Sequence, residues 1–576
     1  MSVAESRPAT GEGTLLRAWA TVLVRCSGSA RFWWALALVW AALAAWANRY
    51  WIGGDGLSYL DIGSGVLRDG PSVLVNGCWS PVLPAFIAAA FSIFRPAPSQ
   101  ELPLLHALNF VLFILVLLCF TFFLRMWLAS LESVSEEEKR KYLVPFGFFT
   151  FLWFTMEYIG MMRVGPDLCV DGVVFLAAGI VCRLSLPGSG WKHYTALGCA
   201  LALGYYTKAV MFPLGLALLC ILVLMPPKGF SRKKLLVSVL VFFAVAAPLI
   251  VLMSKRVGRM STGEVGPLMY LWYVNGIQPF EPGWPLAVPA AYGAPTHPPR
   301  TLTTEPLTLE FASPVRGTFP LFYEPTYWHE GLRTRWNLGQ QLAALRETLR
   351  EYIPIAYYMG GFSVAAVALC LCALRRRENR EARRDWPWWQ WAWPIAACVL
   401  YGLVYVEHRY IAAFLALFWC GTFGLLLFRV SARTRTTVLA SLLATHLLAV
   451  SGRVAWNLVH SRPPEYEKAG QAMHDLGLRE GDQLAFVGDP LEKAYAARYA
   501  RMRIVAQIQD EQAFWHLSGP ELERLERRLA SIGVKAVVSR HYSGGVSPGN
   551  WFDVSMKNSE GFSILPISGP HAIPVP

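Results

Sequence analysis

The sequence predicts an α-helical polytopic membrane protein of about eleven transmembrane helices, completed by a small C-terminal α/β domain. Three observations carry that expectation. Only 16% of the 576 residues are charged while 54% are hydrophobic, whereas a soluble domain carries about 25% charged residues. Apolar runs close to the ~20 residues that cross a bilayer core recur along most of the chain. The dense basic clusters fall in short loops between those runs, the pattern that orients membrane proteins.

The apolar runs place spans near 32–49, 104–128, 143–162, 167–185, 194–207, 209–225, 235–253, 353–374, 389–406, 411–428 and 434–452. Residues 194–225 are too many for one ordinary span and few for two. Charge arbitrates. With two spans, Lys139-Arg140-Lys141, Lys192, Lys228 to Lys234, Arg375 to Arg384 and Arg429 to Arg435 all fall on the N-terminal side. The stretch 80–94 is apolar but short and carries two prolines, so it is placed flat in the outer interface. Arg17, Arg25 and Arg31 precede the first run, and no small-x-small cleavage site comes before Asn48-Arg49, so that run reads as an uncleaved first span.

This topology divides the chain into a cytoplasmic segment 1–31, a transmembrane domain 32–453 with outer loops 50–103 and 254–352, and an extracytoplasmic α/β domain 454–576. It places the protein in the plasma (inner) membrane, with the N-terminus cytoplasmic and the C-terminal domain periplasmic or extracellular. The first loop holds Gly53-Gly54-Asp55-Gly56 and a helical pattern to Arg68, stopped by Gly70-Pro71. The second is rich in Pro, Tyr and Trp up to His329, then amphipathic from Asn337 to Tyr352. In the tail, strands at Leu484–Val487, Ile504–Ala506 and Val534–Ser539 alternate with helices around Glu492–Arg501 and Pro520–Ala530, an order that suggests a small parallel sheet. Gly488-Asp489 is no nucleotide fingerprint, since neither GxGxxG nor a Walker sequence is present.

The net charge of +13 does not indicate nucleic-acid binding, because its basic residues sit in the short inner loops. Most of the 11 cysteines lie inside apolar runs (Cys119, Cys182, Cys199, Cys220, Cys398 and Cys420), and Cys78 is the one in a polar outer loop. With no CxxC pair or Cys/His cluster, the sequence supports no metal site and no cofactor.

The remaining polar residues at span ends are Asp55, Arg163 with Asp167, Lys208, and Glu407-His408-Arg409-Tyr410, and all of them fall on the outer side. Each has a plain structural reading. Asp55 suits an N-cap for a helix starting at Gly56, Lys208 a snorkelling anchor, and Arg409-Tyr410 an interfacial belt. Arg163 and Asp167 suit ties across the Gly165-Pro166 turn. Their one-sidedness points instead to a single polar site. Lys208 and Arg409 suit a phosphate, and Asp55 suits a proton acceptor.

Five stretches bear on identity: Asp55-Gly56-Leu57-Ser58-Tyr59-Leu60-Asp61; Asn76 to Pro84; and, further on, Gly165-Pro166-Asp167-Leu168, Gly204 to Lys208 and Glu407 to Tyr410. In that order they resemble bacterial GT-C membrane glycosyltransferases, the group of protein O-mannosyltransferases and lipid A aminoarabinose transferases. The resemblance covers about the first 450 residues. It implies a GT-C-like fold and an inverting enzyme that moves a sugar from a polyprenyl-phosphate donor to a glycan, lipid or protein acceptor. It implies Asp55 as general base and Lys208 with Arg409 as donor-phosphate ligands, supported by Tyr59, Asp61, Arg163, Asp167, Glu407, His408 and Tyr410. Gly56 stands where many relatives carry a second acid. Asp61 lies six residues on and points away from Asp55 on a helix, which weakens a metal proposal. Trp272, Tyr273, Trp284, Tyr327 and Trp328 suit sugar stacking as well as packing. His329 and His408 titrate near neutral pH but are not assigned catalysis. A transporter or flippase for a lipid-linked saccharide, and a non-catalytic membrane scaffold, are the alternative readings.

Overall fold

In the computed structural model, the described residues are 28–278, 284–375, 388–461, 464–491, 493–540, 551–554 and 561–567. The expected inner segment to Arg25, the basic stretch 376–384, Glu492 and residues 541–550 lie outside them.

Every apolar run expected to span is helical. Among the described residues five helices are long and apolar enough to cross a bilayer: Ala30–Ala47, Pro98–Ser130, Glu136–Ile159, Arg232–Val257 and Ala432–Val459. A sixth candidate is the pair Leu338–Tyr358 and Gly360–Leu374, bent by 72°. The expected span 353–374 is therefore broken at Met359, and its first six residues belong to the amphipathic helix before it. The other expected spans form Asp167–Leu184, Trp191–Thr207, Met211–Leu224, Trp389–Gly402 and Ala412–Leu427, of 18, 17, 14, 14 and 16 residues. At 1.5 Å per residue a 14-residue helix is about 21 Å long, short of the ~30 Å bilayer core. The count of eleven full-length spans is thus not what helix length supports.

Packing between these helices uses aromatic stacks and one close backbone approach. Phe120 stacks on Phe151 at 4.7 Å and Phe146 on Phe423 at 4.4 Å. A Cβ on Gly198 would sit 2.5 Å from the Ser238 carbonyl oxygen, so glycine lets Trp191–Thr207 lie against Arg232–Val257.

The three strands expected in the tail form a parallel core, but the sheet is larger than the tail alone. Its seven strands are β1 (Arg300–Thr304), β2 (Leu307–Glu310), β3 (Gln483–Val487), β4 (Arg503–Ile508), β5 (Val534–Arg540), β6 (Phe552–Val554) and β7 (Phe562–Pro566), in the order β1-β2-β4-β3-β5-β7-β6. β3 pairs in parallel with β4 and β5. β1 and β2 come from the second long loop, and β2 adds antiparallel to β4. Leu484, Phe486, Ile504 and Val538 join the core shared with the membrane helices, while Ala485, Val487, Val505 and Val537 pack under Phe514, Leu525 and Leu529. That alternation follows the two-residue period of a strand.

A buried ion cluster fastens the tail to the helical domain. Arg498 donates from Nε and Nη2 to the Glu101 carboxylate at 3.1 and 3.0 Å, and from Nη1 to Asp61 Oδ1 at 3.0 Å. Arg501 adds a 3.0 Å contact to Glu101. The Thr318 amide and hydroxyl donate to Asp61 at 2.7 and 3.0 Å. Burial raises the Asp61 carboxyl above its ordinary value, against the pull of Arg498 and Thr318. First loop, second loop, long helix and tail therefore meet at one guanidinium. Arg498→Ala is expected to cost about 3–5 kcal/mol, since it leaves Asp61 buried without a cation and Glu101 with Arg501 alone. Thermal unfolding in detergent and proteolytic release of the tail measure this, and adding Asp61→Asn and Glu101→Gln should recover part of the loss.

Candidate active site

Four chain segments bring their polar residues to one point at the end of the bundle that faces the tail. Asp55 comes from the helix Gly54–Asp69, whose cap is Gly53, so Asp55 lies inside the first turn and is not the cap. Gly54 makes room for the tail: a Cβ there would meet Leu491 Cδ1 at 2.4 Å. Gly56 is filled from the other side, where a Cβ would lie 2.8 Å from Ile52 and 3.1 Å from the Val164 carbonyl oxygen. A second acid beside Asp55 has no space. Asp167 opens the helix Asp167–Leu184, where the helix dipole favours a carboxylate. Lys208 sits in the break between Trp191–Thr207 and Met211–Leu224, with extended backbone. Glu407, also extended, precedes the 3₁₀ turn His408–Tyr410.

Arg409 is the hub. Its Nε donates to Glu407 Oε2 at 2.7 Å, Nη1 to Asp167 Oδ2 at 3.2 Å, and Nη2 to Asp55 Oδ2 at 3.1 Å. The side chain is only 6% exposed, against 38% for Asp55. Burial alone would weaken its hold on the proton, but the surrounding anions reverse that and keep its pKa above the ordinary value. Lys208 donates to Asp167 Oδ1 at 2.9 Å and lies 3.6 Å over the Tyr410 ring. Burial lowers the Lys208 pKa, with Asp167 opposing. Arg163, the most exposed of the three cations, stands 3.7 Å from Glu407. Burial would raise the Glu407 carboxyl, yet its bonds to Arg409 hold it below the ordinary value.

The remaining sequence-derived residues divide. Tyr410 donates to Glu407 at 3.3 Å. Tyr59 is buried against Trp79, with Asp55 and Asp167 among its charged neighbours. His408 packs edge-on to Tyr158, and burial lowers its pKa, so it stays neutral at neutral pH. Asp61 is not in this group; it belongs to the Arg498 cluster. His329 is buried between Trp272 Nε1 at 3.1 Å and the Pro325 carbonyl at 2.8 Å, with burial depressing its pKa to about 4. Trp272, Trp284 and Trp328 are likewise buried, and Tyr327 stacks on His297 at 4.4 Å. Tyr273 remains open at the rim, stacked at 4.0 Å on Tyr405.

Tyr405 is the residue that sequence reasoning missed. Its hydroxyl donates to Glu407 Oε1 at 3.2 Å. The signal was its place two residues before Glu407, which puts the two side chains on one face of an extended segment. Among the described residues no group of three or more His, Cys, Asp or Glu is arranged to hold a metal ion, and the three acids around Arg409 are each already committed to a cation.

The helices that end at this site are short ones, Trp191–Thr207, Met211–Leu224, Trp389–Gly402 and Ala412–Leu427, whereas Pro98–Ser130 and Ala432–Val459 run for 33 and 28 residues. Asp167→Asn removes the carboxylate shared by two cations, 4% exposed, and is expected to cost about 3–5 kcal/mol. Glu407→Gln, at a more exposed position, should cost less; paired thermal unfolding curves compare them.

No protein-family model and no curated protein sequence matches the chain. Solved structures do. ArnT from Cupriavidus metallidurans bound to undecaprenyl phosphate superposes with a TM-score of 0.53 at 12% identity, over 97% of this chain and 98% of that one. The same protein in the apo state gives 0.52 at 13% identity, over 93% and 98%. The likeness reaches past the first 450 residues into the tail, and the chain has the GT-C fold of a multi-pass membrane protein.

Proposed function

We propose that this protein is a membrane glycosyltransferase that transfers a sugar from a polyprenyl-phosphate-linked donor to an acceptor at the outer, periplasmic face of the plasma membrane. The observation that carries the reading is the Arg409 cluster: three cations and one partly exposed carboxylate converge at one end of a bundle with the GT-C fold. Lys208 and Arg163 meet the donor phosphate first, because both keep exposed donor capacity. The outward Nη2 edge of Arg409 then exchanges Asp55 for a phosphate oxygen, which frees the Asp55 carboxylate. The acceptor hydroxyl or amine attacks the anomeric carbon from the face opposite the phosphate. Its proton passes to Asp55, the C–O bond to phosphate breaks, and the electron pair leaves with polyprenyl phosphate. Arg163, Lys208 and Arg409 stabilise the charge that develops there.

In this scheme side-chain cations supply the electrostatic stabilisation of the leaving phosphate. Arg409 and Lys208 occupy the positions among the acids where a divalent ion would have to sit, so the proposed transfer draws on no metal cofactor. The GT-C fold, seen in ArnT with undecaprenyl phosphate bound, supports the choice of lipid.

Two outcomes test this. Transfer of labelled sugar from polyprenyl-phosphate donors by membranes carrying the protein should fall by about 10²–10⁴ in Asp55→Asn; transfer at the wild-type rate in that variant removes Asp55 as base. Chelation with EDTA should leave the wild-type rate unchanged, and a loss restored by added divalent ion would show that a metal takes part.

A further inference from the structure

The helix Leu338–Tyr358 divides its surface into three sectors. At about 100° per residue, Gln341, Ala344, Thr348, Tyr352 and Ile355 fall together and are buried or half-buried against the protein. Gln341 Nε2 donates to the Leu403 carbonyl at 2.7 Å, and Tyr352 to the Cys398 carbonyl at 2.6 Å. Beside that face runs a second stripe, Leu338, Leu342, Leu349 and Ile353, each at least 56% exposed. The third sector carries Arg346, Glu347, Arg350 and Glu351, all exposed, with Arg350 and Glu347 paired at 2.5 Å.

A helix packed on protein alone needs two sectors, one apolar and one wet. The exposed apolar stripe needs a third environment. Continuity names it: one residue beyond the helix the chain turns by 72° into the apolar Gly360–Leu374, whose outward residues Val364, Val367, Leu371 and Leu374 are also exposed. When that second limb runs along the bilayer normal, the first lies close to the membrane plane.

We propose that Leu338–Tyr358 is an in-plane helix that binds the lipid surface of the leaflet on the tail side. Its apolar stripe enters the acyl boundary, and Arg346 and Arg350, next to that stripe, reach the phosphate layer. The Gln341 contact ties this helix to Leu403, six residues before Arg409, so the lipid surface it binds lies on the side of the bundle that carries the Arg409 cluster. This inference does not rest on the glycosyltransferase reading.

The test uses the full-length protein in phosphatidylcholine vesicles, with a nitroxide introduced on a genetically encoded residue at Leu342, Leu349, Glu347 or Glu351 in turn, and at Val367 as a lipid-facing reference. Collision with oxygen, which concentrates in lipid, and with a water-soluble nickel chelate is measured at each site. Leu342 and Leu349 should behave like Val367, favouring oxygen several-fold over the chelate, while Glu347 and Glu351 favour the chelate. Chelate access at Leu342 and Leu349 equal to that at Glu347 would place the stripe in water and overturn the proposal. Low collision with both reagents would mean that protein, such as a second copy of the chain, covers the stripe, and would overturn it equally.

Discussion

One guanidinium organises the far end of this bundle. Arg409 is bound by carboxylates 354, 242 and two residues away in sequence, so the first loop, the start of one helix and the turn before another are fixed relative to each other through it. A buried arginine is tolerated only when its donors are all met, and here each face of the fork has an acid. The same saturation sets the chemistry. Arg409 itself cannot take on another anion without giving one up, and Asp55 is the most exposed acid it holds. Binding of an anionic group and release of the Asp55 carboxylate are in this way two sides of one exchange.

Arg498 plays the matching structural part about six residues along the same helix. Asp55 faces Arg409, and Asp61 faces Arg498 and Thr318. The helix Gly54–Asp69 is pinned at both ends of its first two turns, once by the bundle and once by the tail. Leu491 closing over Gly54 adds a third contact. The tail is thus part of what orients Asp55, and the sheet is completed by β1 and β2 of the second loop rather than standing alone.

Much of this was legible in the sequence, for stated physical reasons. Apolar runs located every helix of the bundle, and the three tail strands were marked by short β-branched runs between turn residues. One-sided placement found Asp55, Arg163, Asp167, Lys208 and the Glu407–Tyr410 segment, because an ionisable group at a span end needs a reason to be there. Asp61 was grouped with them through the resemblance, although helix geometry already turned it away from Asp55; it lies on another face, where the tail supplies Arg498. That partner is 437 residues distant and left no local signal. Helix lengths were misjudged where hydropathy runs through a break: Met359 interrupts the run 353–374 without any change in polarity. β1 and β2 were hidden in a proline-rich loop, since their pairing depends on β4, far along the chain.

The central claim is that a lipid phosphate loses its sugar at the Arg409 cluster. Its most direct measurement places purified protein in lipid nanodiscs with a polyprenyl-phosphate sugar and a mixed panel of acceptors, and follows free polyprenyl phosphate by mass spectrometry. The account predicts polyprenyl phosphate released together with glycosylated acceptor by the wild type, and neither from Lys208→Ala. Donor that stays intact here, while the same protein in vesicles moves it from one leaflet to the other, would contradict the account and identify transport of the lipid-linked saccharide instead.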